Sequence, residues 1–187
     1  MRISAQKELI RREIKLLLKA QSPEERSEQS RLIKQRLFET EWFLRAHHVM
    51  FYVSTNIEVE TSLMIEAALK SRKVVSLPCI DSGEKSLFAA IINDRLRDLE
   101  KGPFGIWQPK KECCKPVSPA VIDIIVVPAI AYTERGCRLG RGEGYYDRFL
   151  EKFPPTTKKI GLAFSFQIRN ELPMAPHDQA VDMVITP

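Results

Sequence analysis

Between residues 136 and 144 the chain packs four of its eight glycines into nine positions: Gly136, Gly140, Gly142 and Gly144. Arg138 and Arg141 stand among them, and Tyr145-Tyr146-Asp147-Arg148 follows. Glycine has no Cβ, so the backbone N–H groups of such a run can turn towards a bound anion. Each guanidinium adds forked donors matched to phosphate oxygens. The stretch Gly142 to Lys152 reads as a helix, and its positive N-terminal end would add to the site. Asp147, one turn into that helix, is a carboxylate beside phosphate. Magnesium commonly takes one or two carboxylates and fills its shell with phosphate oxygens and water, so Asp147 is a candidate metal ligand. The chemistry indicated is phosphate handling, centred on Arg138 to Arg148. A plainer reading stays open, in which the glycines only make turns, the arginines are solvated and Asp147 offsets the helix end. The run is no Walker A loop, because no Gly-x-x-x-x-Gly-Lys-Ser/Thr occurs. Nor is it a dinucleotide fingerprint, because single residues separate its glycines.

A loop of this kind needs a strand before it and a helix after it. Ile122-Asp-Ile-Ile-Val-Val127 is the most apolar strand in the chain and ends at Pro128. Ligands of open parallel sheets bind outside the carboxyl ends of such strands. Upstream, Ile10, Ile14, Leu17 and Leu18 give Ile3 to Ala20 a helical period, with Ser4 as its N-cap. Ser22-Pro-Glu-Glu25 reads as a capping box with proline in the first turn, opening a helix to about Phe38. His48 to Val53 reads as a buried strand, Thr61 to Ser71 as a helix, and Val74 to Leu77 as a second strand closed by Pro78. Strand, helix, strand in so short a span is a βαβ unit. Ser86 to Ile92, Lys159 to Phe164 and Val181 to Ile185 complete the strands, and residues 93 to 119 read as a long, mostly irregular connection. The fold class is α/β: one domain over residues 1–187, with a mostly parallel central sheet and flanking helices in an open, Rossmann-like three-layer arrangement.

The 187 residues are 44% hydrophobic and 28% charged, ordinary for a globular domain that buries a core without staples. The formal charge of +5 is spread along the chain and is not interleaved with aromatics. That favours small anionic ligands over nucleic acid. Cys79, Cys113, Cys114 and Cys137 show no Cys-x-x-Cys spacing, so free thiols are expected and a zinc site is not. No apolar run approaches the roughly 18 residues of a membrane span, and the first residues lack the apolar core of a secretory signal. The expected compartment is the cytoplasm.

Arg138-Leu-Gly-Arg-Gly-Glu-Gly-Tyr-Tyr-Asp-Arg148, preceded by Val127-Pro-Ala-Ile-Ala-Tyr132, closely resembles the signature of the 5-formyltetrahydrofolate cyclo-ligase (methenyltetrahydrofolate synthetase) family. Three weaker marks follow the same order: Lys7-x-x-x-Arg11, Val53-Ser-Thr-Asn-Ile-Glu58-Val-Glu-Thr61 and His177-Asp178-Gln-Ala-Val-Asp182. The resemblance spans essentially the whole chain. It departs at Glu143, where the family commonly has glycine, at Pro128-Ala129 in place of Pro-Gly, and at Thr133-Glu134. Glu143 places a negative charge near the phosphates.

The resemblance implies ATP- and magnesium-dependent cyclisation of 5-formyltetrahydrofolate, with or without a polyglutamate tail, to 5,10-methenyltetrahydrofolate through a phosphorylated imidate. Lys7 and Arg11 would hold ATP phosphates. Arg138, Leu139, Gly140, Arg141, Gly142, Glu143, Gly144, Tyr145 and Tyr146 would form the nucleotide loop, with Arg141 on the transferring phosphoryl group. Val53, Glu58 and Arg141 to Tyr145 would line the folate site, and Asp147 and Asp178 would hold Mg2+. The implied partner is this small substrate alone, with no nucleic acid or membrane, and the chain is expected to be a monomer, with a dimer the alternative. Taken singly, Lys7 and Arg11 read as solvated helix residues, Asp178 as a turn residue, Glu58 as a solvated strand-exit residue, and Trp107 as a loop anchor before a pterin contact. Two rival functions are a phosphosugar isomerase or CoA-transferase-like protein, and a non-catalytic folate or nucleotide binder.

Overall fold

Two helices open the chain where the periodicity places them. In a computed structural model, which describes residues 3–81, 86–102, 105, 107–112 and 115–187, α1 spans Ile3–Ala20 and α2 spans Pro23–Glu39. The capping box is complete: Ser22 Oγ accepts from the Glu25 N–H at 3.1 Å, and Glu25 Oε2 accepts from the Ser22 N–H at 3.1 Å. Thr40 ends α2 and starts a short α3, Glu41–Arg45, by accepting the Phe43 N–H at 3.2 Å.

The βαβ unit is present as β1 (His48–Met50), α4 (Ser62–Lys70) and β2 (Val74–Asp81), with β1 and β2 parallel. β1 is shorter than expected. Past Phe51 the backbone turns to its own loop, where Thr61 Oγ1 donates to the Tyr52 carbonyl at 2.7 Å. β2 is longer than expected and passes through Pro78 to pair antiparallel with β3 (Ser86–Ile92). Ser76 turns its carbonyl to the β1 side, accepting from the Phe51 N–H at 3.0 Å, so Pro78 two residues on faces that side too. The β1 ladder has ended there, and the missing N–H of Pro78 breaks no bond.

β6 (Pro116–Val117) borders β3. The middle of the five parallel strands is β7 (Ile124–Val127), buried at every residue, between β1 and β10 (Lys158–Leu162), with β11 (Met183–Ile185) at the edge. The order β11-β10-β7-β1-β2-β3-β6 makes β11 to β2 parallel and β3 and β6 antiparallel. Alternation sorts the side chains into two cores. Val49, Phe51, Val75, Leu77, Ile124 and Val126 pack against Ile14, Leu18, Ile33, Leu37 and Met64 of α1, α2 and α4. Met50, Ile125 and Val127 pack on the other face against Phe149, Leu150 and Phe153. Helices on both faces give the three-layer α/β arrangement expected from the sequence.

The long connection is not wholly irregular. It holds a hairpin of β4 (Leu99–Lys101) and β5 (Trp107–Pro109), too short to show an apolar period. Of the cysteines, Cys137 is free and Cys79 is disulfide-bonded, which corrects the free-thiol expectation for that residue. Cys113 and Cys114 lie outside the described residues. Among the described residues no helix is long and apolar enough to cross a membrane.

His48 is 5% exposed, its Nε2 3.0 Å from Ser76 Oγ. Burial holds its pKa below 6.5, against the opposing charge of Asp123. With a lowered folded-state pKa, the unfolded chain takes up the proton first. The stability carried by this neutral imidazole is therefore intact above pH 6.5 and is lost as pH falls below it towards the folded value. The expected result is a denaturation midpoint that drops across that window, by at most about 1.4 kcal/mol per pH unit for one proton. A His48→Gln variant is expected to lack this part of the slope; an unchanged slope would assign it elsewhere.

Candidate active site

Two short strands carry the glycine run. β8 (Ala131–Tyr132) and β9 (Arg138–Leu139) form a hairpin off the end of β7. Its turn needs Gly136: φ is +86°, and a Cβ there would lie 2.1 Å from the Val181 carbonyl oxygen. The helix α5 covers Tyr145–Leu150, not the longer Gly142 to Lys152 expected. Gly142 and Gly144 have φ of +115° and +67°, left-handed values that end any helix before Tyr145. With six residues, α5 adds little dipole, so the site rests on side chains and loop N–H groups.

Lys7, Arg11, Val53, Glu58, the whole stretch Arg138 to Asp147, and Asp178 line one cavity of about 780 Å³. It opens where Val53 follows β1 and Pro128 follows β7. From β1 the chain moves to β2 on one side, and from β7 to β10 on the other. The cavity thus sits at the carboxyl ends of the two strands where the order reverses.

The cations of the site are each paired with an acceptor. Arg138 is 3% exposed, and its Nη2 donates to Asp147 Oδ1 at 2.6 Å. Its Nε is buried without a hydrogen-bond partner among the described residues. Asp147 Oδ1 also accepts from the Gln179 N–H at 3.1 Å, fastening the loop to the C-terminal segment. Arg11 Nε donates to the Gly140 carbonyl at 2.9 Å. Lys7 Nζ donates to Asp178 Oδ2, which also accepts the Ala175 N–H at 2.6 Å. Burial pulls the Asp178 pKa up, but the Ala175 N–H and the Lys7 ammonium outweigh it and hold the carboxyl below its usual value. Arg141 Nη2 donates to Glu58 Oε1 at 2.6 Å, while Glu58 Oε2 accepts from Thr55 N and Oγ1 at 2.9 and 3.0 Å. The solvated readings of Lys7, Arg11 and Glu58 are thereby replaced.

The aromatic residues divide by position. Tyr145 is half-buried with the Arg148 guanidinium 5.4 Å from its ring centroid. Tyr146 meets Phe149 edge-on, and burial and the Glu58 charge, against Arg138 and Arg141, keep its phenol protonated well above the usual range. Glu143 stands exposed at the rim. Trp107, read from the sequence as a buried or half-buried loop anchor before a pterin contact, is 46% exposed and lines the cavity. Sequence reasoning missed Thr55 and the wall formed by Pro78, Ile80, Leu87 and Gln108. Thr55 had a signal in its Thr-x-x-Glu spacing to Glu58; the wall, built by pairing β2 with β3 and laying β5 against β2, had none.

Among the described residues no group of three His, Cys, Asp or Glu can hold a metal. Asp147 and Asp178 each commit one oxygen to the bonds above and keep the other, with Asp178 Oδ1 3.8 Å from His177 Nε2. Two carboxylates beside four cations fit a metal that arrives with phosphates supplying the rest of its shell.

The model of the 5-formyltetrahydrofolate cyclo-ligase family matches residues 3–187. The chain is similar to the probable 5-formyltetrahydrofolate cyclo-ligase of Caenorhabditis elegans, 33% identical over 94% of this chain and 90% of that one. It is 30% identical to the 5-formyltetrahydrofolate cyclo-ligase of Mus musculus, over 98% of this chain and 94% of that one. The solved 5,10-methenyltetrahydrofolate synthetase of Aquifex aeolicus superposes with a TM-score of 0.84 at 30% identity, covering 96% of this chain and 88% of that chain.

Proposed function

The chain belongs to the 5-formyltetrahydrofolate cyclo-ligase family, and on that footing we propose that it closes 5-formyltetrahydrofolate to 5,10-methenyltetrahydrofolate, consuming ATP and releasing ADP and phosphate. The observation that carries this reading is the single cavity in which Lys7, Arg11, Arg138 and Arg141 face Glu58, Asp147 and Asp178. Family membership leaves the phosphosugar isomerase and CoA-transferase reading without support. The proposal includes a monomer working in the cytoplasm.

In the reaction proposed, the formyl oxygen attacks the γ-phosphorus of ATP. An O–P bond forms and the bond to ADP breaks. The folate N10 then attacks the activated carbon; its proton leaves, the C–O bond breaks, and phosphate departs with the former formyl oxygen. No protein nucleophile is required, so the site contributes alignment and charge. Lys7 and Arg11, on one face of α1, hold the phosphates against the loop Arg138 to Tyr146. Arg141, the most exposed of the four cations at 47% for its side chain, reaches the transferring phosphoryl group. Magnesium, held by Asp147 and Asp178, would offset charge on the phosphate oxygens. Glu58 takes N–H groups of the pterin, with Val53 and Tyr145 against its faces. Phosphoryl transfer through the formyl oxygen has a direct test: substrate with a heavy-oxygen formyl group should give labelled phosphate. Label released as water would overturn the phosphorylated intermediate.

A further inference from the structure

The turn leaving β1 places a residue behind the folate-side carboxylate for which the reaction has so far named no task. Thr55-Asn-Ile-Glu58 closes on itself, with the Glu58 N–H donating to the Thr55 carbonyl at 3.3 Å. The Glu58 side chain folds back, and its Oε2 receives both donors of Thr55, N–H and hydroxyl. Only the carboxylate half of a capping box is present: Glu58 takes the Thr55 N–H, while the Thr55 hydroxyl donates to the same carboxylate and the Glu58 N–H goes to the Thr55 carbonyl. Oε2 is thereby occupied, and Oε1 is the oxygen turned to Arg141. Arg141 Nη2 also lies 3.4 Å from Thr55 Oγ1, so the hydroxyl accepts on one side while it donates on the other.

We infer that Thr55 is a positioning residue for ring closure: it locks the Glu58 carboxylate with Oε1 against Arg141 and the remaining lone pair of that oxygen left for a substrate N–H, and it steadies Arg141 beside it. The inference rests on the folate reading given above. A free glutamate has several rotamers to lose on binding a ligand; one held by two donors has already lost them. The turn does not depend on Thr55 for its place. Ser54 and Thr61 clamp its base with two reciprocal bonds of 3.1 Å each, Ser54 N to Thr61 Oγ1 and Thr61 N to Ser54 Oγ. A Thr55→Val variant, equal in shape but lacking the hydroxyl, therefore keeps the fold.

The experiment measures steady-state kinetics and 5-formyltetrahydrofolate binding by calorimetry for wild type, Thr55→Val, Thr55→Ser, Glu58→Gln and the Thr55→Val/Glu58→Gln double variant. Thr55→Val is expected to raise the folate KM and Kd about tenfold, the size of a lost hydrogen bond to a charged group, with the ATP KM changed less than about twofold. Thr55→Ser should restore both constants. In the Glu58→Gln background the same substitution should add less than about twofold, because it acts through that carboxylate. An unchanged folate KM in Thr55→Val, or an undiminished effect in the Glu58→Gln background, would overturn the role of Thr55 while leaving the cyclo-ligase reading intact. A wild-type protein that neither binds nor converts the folate would overturn both.

Discussion

Arg141→Ala is expected to lower kcat by about a thousandfold or more, the scale lost when an arginine facing a transferring phosphoryl group is removed. The protein should remain folded. The Arg141 side chain is 47% exposed, and its partner Glu58 keeps both Thr55 donors after the change. The loss should fall on kcat more than on the ATP KM, because the proposed phosphate holders Lys7, Arg11 and the remaining loop are left in place. Arg141→Lys should recover part of the rate, since it restores charge without the fork. Initial-rate measurements at saturating ATP and folate check this. A tenfold or larger rise in the ATP KM with kcat unchanged would make Arg141 a phosphate anchor with no task in the transfer.

Asp147→Ala is expected to strike the fold as well as the reaction. The Arg138 side chain is 1% exposed and ion-paired with Asp147, while its Nε already lacks a hydrogen bond among the described residues. Removing one member of a buried pair leaves an uncompensated charge, at a cost of about 3–5 kcal/mol. The Gln179 N–H loses its acceptor at the same time. Chemical denaturation should therefore show a large drop for Asp147→Ala. Pairing Arg138→Met with Asp147→Leu should recover much of that stability, because both charges are gone. The recovered protein should still be inactive, having lost a proposed metal ligand and a loop cation. An Asp147→Ala protein within about 1 kcal/mol of wild type would contradict the buried pairing.

The site was legible where chemistry sits in one stretch of chain. The glycine run, its two arginines and Asp147 are local, so their spacing marks in the sequence alone one stretch that the fold places along the cavity. The partners of these residues were not legible. Lys7 and Asp178 are 171 positions apart, and only the stacking of α1 over the end of the sheet brings them together. Helices α1, α2 and α4 followed their apolar periods and caps closely, because those signals lie within each helix. β1, β2 and α5 were misjudged at their ends for separate reasons. Thr61 captures the exit of β1; the edge beyond β1 leaves room for Pro78; left-handed glycines delay the start of α5. The hairpin β8–β9 has two residues in each strand, too few for any period, yet it holds Arg138 in place.

The most direct measurement follows 5,10-methenyltetrahydrofolate by its absorbance in mixtures of purified protein with 5-formyltetrahydrofolate, ATP and magnesium, and in mixtures lacking each in turn. The expected result is product only in the complete mixture, with one ADP formed for each product molecule. Product forming without ATP, or no product from folded protein in the complete mixture, would contradict ATP-driven ring closure in this cavity.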